Sequence, residues 1–63
     1  MKVGDRVYTP RFCTVTIQKV FESENEAWNE GFKESAHFDK DPEYSIYGKH
    51  TGENRMIFAA VRK

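Results

Sequence analysis

Apolar and polar residues alternate most cleanly between Phe12 and Phe21. Cys13, Val15 and Ile17 fall on one side of an extended segment, and Thr14, Thr16 and Gln18 on the other. The segment is rich in β-branched residues, so it predicts a strand with one buried face. Val20 breaks the alternation and predicts a bulge or the strand's end near Lys19. A second apolar run, Met56-Ile57-Phe58-Ala59-Ala60-Val61, is apolar on both faces. That pattern predicts a central strand, covered by a helix on one side. Tyr44-Ser45-Ile46-Tyr47 precedes it across the polar stretch Gly48 to Arg55, and the three together predict a hairpin from Tyr44 to Arg62. The polar stretch would form its tip, with Gly48 and Gly52 supplying positive φ.

Helical periodicity occurs once. Ser23-Glu24-Asn25-Glu26 fits a capping box, in which Ser23 caps the first turn and Glu26 reaches back to the cap's own amide. Gly31 supplies a left-handed stop, and Phe32 follows where a side chain packs back on the last turn. The helix is expected to run about two to three turns and to dock through Ala27, Trp28 and Phe32. Ser35-Ala36-His37-Phe38 reads as a short strand or an ordered loop, and Asp39-Lys40-Asp41-Pro42 as a turn. At the start, Val7 and Tyr8 begin a short strand that Pro10 confines to an edge or an end. The stretch Val3-Gly4-Asp5-Arg6-Val7-Tyr8 resembles the first strand of many small SH3-like barrels. The expected fold is therefore α+β: about four antiparallel strands with one short helix, in the order β-β-α-β-β. A small SH3-like barrel with an inserted helix is the alternative.

With 63 residues, this is a single domain whose core is small. One cysteine excludes an internal disulfide, and nine aromatic residues offer another source of core. The lone Cys13 and a start without an apolar leader segment point to a reducing, cytoplasmic setting. No apolar run approaches the roughly 20 residues of a membrane span.

The net charge is zero, but the charges are segregated. Lys2, Arg6, Arg11 and Lys19 against Asp5 leave residues 1–20 at +3. Eight acids against Lys33 and Lys40 leave residues 21–44 at −6. Lys49, Arg55, Arg62 and Lys63 against Glu53 bring residues 45–63 to +3. Such a layout either balances an acidic helical segment against a basic sheet or steers a charged partner.

The candidate chemistry is thin. Gly48-Lys49-His50-Thr51-Gly52 fails as a phosphate loop, because Glu43 stands where the first glycine belongs and His50 where Ser or Thr belongs. His37, His50 and Cys13 lack zinc-ligand spacing. Asp39-x-Asp41-x-Glu43 lacks the turn glycine of a calcium loop, and Pro42 interrupts it. No metal and no cofactor are expected. Cys13, on the apolar side of its strand, reads as a buried structural thiol rather than a nucleophile. Ser23 and Ser45 have no base or acid at a recognisable spacing, so no catalytic residue is assigned.

Two binding functions remain. A small sheet with an open edge can accept a strand from a protein partner or from a second copy, giving a monomer or a weak homodimer. Alternatively, Arg6, Arg11, Lys49, His50, Arg55 and Arg62 form a basic surface for nucleic-acid phosphates, with Tyr8, Phe12 or Tyr47 available to stack on bases. A non-enzymatic protein-binding module is preferred.

From Trp28-Asn29-Glu30-Gly31-Phe32 through Ile46-Tyr47-Gly48-Lys49-His50-Thr51-Gly52-Glu53-Asn54-Arg55-Met56, the chain resembles small uncharacterised proteins encoded on conjugative transposons of clostridia-like gut bacteria. The resemblance spans nearly the whole chain. It implies an accessory protein of a mobile genetic element and brings no activity or site residues with it.

Overall fold

The computed structural model describes residues 1–63. The elements are β1 (Arg6–Thr9), β2 (Cys13–Phe21), α1 (Glu24–Asn29), β3 (Glu34–Ser35), β4 (Tyr44–Gly52) and β5 (Arg55–Arg62). The strands form one sheet in the order β1-β2-β5-β4-β3. The α+β class and the single short helix are as expected, but there are five strands rather than four. The additional strand, β3, has only two residues, which pair with Tyr47 and Gly48 of β4. Nor is the sheet wholly antiparallel as expected: the other neighbouring pairs are antiparallel, but β2 and β5 run parallel, which the long connection through α1, β3 and β4 permits.

The sheet curls. β1 and β3 stand at opposite edges, yet the Arg11 guanidinium in the β1–β2 turn reaches Glu34 at 3.2 Å and the Ser35 carbonyl at 3.2 Å, both on β3. Lys40, just beyond β3, lies 5.7 Å from the ring centre of Tyr8 on β1. The inside of the curl holds Val15, Ile17, Ala36, Ile46, Phe58 and Ala60, with Val7 from one edge and Phe38 from the other packed against them. The outside holds Ala59 and Val61, covered by Ala27 and Phe32. β5 is thus central and buried on both faces, as its continuous apolar run requires.

Local chemistry explains most boundaries. β2 shifts register between Ile17 and Lys19, where the alternation fails. Ser23 accepts the Glu26 amide at 3.4 Å, but Glu26 receives the Glu22 amide rather than that of Ser23. Gly31, at φ +95°, ends the helix, and the Phe32 amide returns to the Ala27 carbonyl at 2.9 Å. The helix is only six residues long, under two turns. So short a helix presents one buried residue, Ala27, and leaves Trp28 46% exposed instead of docked. Cys13 is also not buried: it begins β2 at φ +60°, after a three-residue turn, and its side chain is exposed. Thr9 closes that turn, accepting the Phe12 amide and donating to the Cys13 carbonyl.

The largest departure is the hairpin tip. β4 runs on through Gly52, and the turn is only Glu53-Asn54. Lys49 and His50 therefore lie in the ladder, opposite Ile57 and Met56. Gly48 and Gly52 do not have positive φ; Gly4 and Gly31 do. Gly48 serves close packing instead. A Cβ there would lie 2.6 Å from Met56 Cε and 2.9 Å from Phe58 Cε1.

Candidate functional site

β2 has two halves with different neighbours. Residues 13–16 pair with β1, and the parallel ladder with β5 begins only at Ile17–Phe58. The Ile17 amide and carbonyl both bond to the β1 side, to Asp5 and Gly4 at 2.8 Å each. Successive residues of a strand direct their backbone groups to opposite sides. The N–H and C=O of Thr14 therefore point towards β5. On β4, the Ile46 carbonyl accepts from Ala36, so Tyr47 and Lys49 address β5. Lys49 lies opposite Ile57, which leaves Met56 directing its backbone groups towards β2. The register places no strand opposite either Thr14 or Met56 on these sides.

Between them lies an open cleft of about 490 Å³. Its walls and floor are Phe12, Thr14, Val15, Thr16, Gln18, Asn54, Met56, Ile57 and Phe58. The inner side is apolar: Phe12 and Met56 pack with Val15 and Phe58 in the core cluster inside the curl. The Phe12 and Phe58 rings meet at 5.0 Å with a 57° tilt. The outer side carries no charge: Thr14, Thr16, Gln18 and Asn54 are polar, and Ile57, packed against the outside cluster, is apolar.

The six basic residues singled out from the sequence do not form one surface. Arg6 pairs across from Thr16 and Arg55 begins β5, so both stand beside the cleft's outer side. Lys49 shares that face, but its ammonium sits 5.6 Å from the Phe32 ring centre and its stem lies along Gly31. His50, opposite Met56, belongs to the other face. Arg62 covers the Tyr44 ring at 5.7 Å and donates to its hydroxyl. Arg11 is held by Glu34. Of the aromatics considered for stacking, Phe12 is engaged with Phe58, Tyr47 with Glu24, and Tyr8 alone is largely exposed, at 56%.

A smaller hollow of about 310 Å³ lies at the helix, lined by Phe21, Glu26, Asn29 and Glu30. Neither hollow contains His37, His50, Asp39, Asp41 or Glu43. No group of three His, Cys, Asp or Glu side chains is placed to hold a metal ion. No helix is long and apolar enough to cross a membrane. Tyr47, on β4, is partly buried. Burial raises its pKa above the ordinary value, and the Glu24 carboxylate, which accepts its hydroxyl at 3.5 Å, raises it further.

The sequence pattern alone does not announce the cleft. The signals that bear on it are the left-handed residue at Cys13 and the bulge at Lys19, and only the second is legible from residue types. No protein-family model, curated protein or solved structure matches the chain.

Proposed function

We propose that this chain is a non-enzymatic protein-binding module that receives an extended segment of its partner in the cleft between β2 and β5. One observation carries the reading: backbone donors and acceptors of Thr14 and Met56 face each other over an apolar floor with no strand between them. Unpaired strand edges recruit extended peptides through main-chain hydrogen bonds, and pockets for alternate side chains select among them. On the resemblance to transposon-encoded proteins the module is an accessory protein of a mobile genetic element, and its lone Cys13 suits a reducing cytoplasm.

The test is affinity capture from extract of the native host, after nuclease treatment. The chain should retain a defined protein, and Thr16→Trp, whose indole would occupy the cleft, should lose it. Equal capture by both, or capture abolished by nuclease, would overturn the reading.

A nucleic-acid-binding role is the second reading, and Arg6, Arg55 and the exposed Tyr8 favour it. Its affinity would fall steeply with salt. Labelled single- and double-stranded DNA, titrated at low and then moderate ionic strength, tests it. Absence of binding at low salt removes it.

A further inference from the structure

Resting on the strand-accepting reading, we infer that the partner segment is an extended stretch in which apolar residues alternate with acidic ones. An extended chain placed in the cleft turns successive side chains to opposite sides. On the inner side they meet Phe12, Val15, Met56 and Phe58, which belong to the core cluster and accept only apolar groups. On the outer side they meet the hydroxyls of Thr14 and Thr16 on β2 and the Ile57 side chain on β5, and beyond these the two arginines.

The charge of the outer residues follows from those arginines. Neither Arg6 nor Arg55 takes part in a salt bridge; the two in the molecule are Arg11–Glu34 and Lys19–Glu30. Arg6 stands one strand from β2, and Arg55 lies on β5 itself. Strands are spaced by about 4.8 Å, and both guanidinium groups are within side-chain reach of a carboxylate raised from the cleft. No acid lines the cleft to compete for them. Asp5, next to Arg6, accepts the Lys2 amide, and Glu53 lies in the β4–β5 turn. Lysine or arginine on the outer side of the segment would face like charge, so the site selects against basic partners as well as for acidic ones.

Selection from a random-sequence peptide library against the intact chain tests this, followed by amide spectra of the protein with each enriched peptide. Enriched sequences should carry Asp or Glu at every second position between apolar residues, and should shift the Thr14 and Met56 amides. The doubly charge-reversed Arg6→Glu, Arg55→Glu variant, altered only at exposed positions, should bind those peptides roughly tenfold more weakly. Enriched peptides that shift the same amides but show no acidic excess would overturn the acidic preference and leave the strand-accepting reading standing. Failure to enrich any peptide, or peptides that leave both amides unmoved, would overturn both.

Discussion

The two ends of β5 differ in their surroundings. From Phe58 to Val61 the strand has β2 on one side and β4 on the other, and all four residues are buried. From Arg55 to Ile57 only β4 accompanies it, and none of the three is fully buried. Residue type does not account for this, since Met56 and Ile57 are as apolar as Phe58 and Val61. What differs is the neighbour. β2 spends its first half on β1 and turns to β5 only at Ile17. The stable end of the strand is thus made by one ladder, and the open end by where that ladder stops. Hydrophobic runs determine which strands are central, whereas ladder ends determine where a sheet can take in a partner.

Phe58, the first residue of β5 to meet β2, joins the two ends. Its ring packs on Phe12, and its removal would leave a cavity between both halves. Phe58→Ala should cost about 3–5 kcal/mol, read by urea denaturation. In a domain of 63 residues that approaches the whole folding stability. A loss below about 1 kcal/mol would mean the core does not depend on the junction of the two halves.

Gly48 tests the floor of the open end. An added methyl would press on Met56, which is flexible, and on the Phe58 ring, which is not. Gly48→Ala should therefore destabilise by about 1–3 kcal/mol. A neutral result would show that the cleft floor yields, and that the open end is looser than its packing suggests.

Much of this arrangement is legible in the sequence, and the exceptions share a cause. The alternation of Val15 and Ile17, the bulge near Lys19, the Ser23 cap, the Gly31 stop and the two-faced burial of β5 are all local patterns, and all are present. The misread parts depend on distant neighbours. β3 exists only because β4 offers it an edge, and two residues carry no periodicity of their own. Lys49 and His50 read as a loop, yet β5 holds them in a strand by pairing, and Thr51 sits at the register shift that follows. Trp28 reads as an anchor, yet a six-residue helix has one buried position to give, and Ala27 takes it. Lys49 and His50 are adjacent in sequence, but strand alternation sends them to opposite faces.

The smallest effect concerns the closed side, where Tyr47 joins β4 to the helix through Glu24. Its pKa is raised in the folded chain, by burial first and Glu24 second. The folded state thus holds the phenolic proton more tightly than the unfolded state does. The resulting stability is complete below about pH 10, the unfolded value, and is lost as pH rises through the folded value. Thermal midpoints measured from about pH 9 to pH 11 should fall less steeply for Tyr47→Phe than for the parent chain. Parallel profiles would mean that neither the burial of Tyr47 nor its contact with Glu24 persists in solution.

The central claim is that β2 and β5 part before Ile17 and Phe58, leaving backbone groups open to a partner. Native-state hydrogen exchange reads this directly, amide by amide. Thr14 and Met56 should exchange rapidly, while Ile17, bonded to Asp5, and Ile57, paired with Lys49, should be protected. Equal protection of Thr14 and Met56 with their neighbours Ile17 and Ile57 would show the sheet closed along its length and would contradict the account.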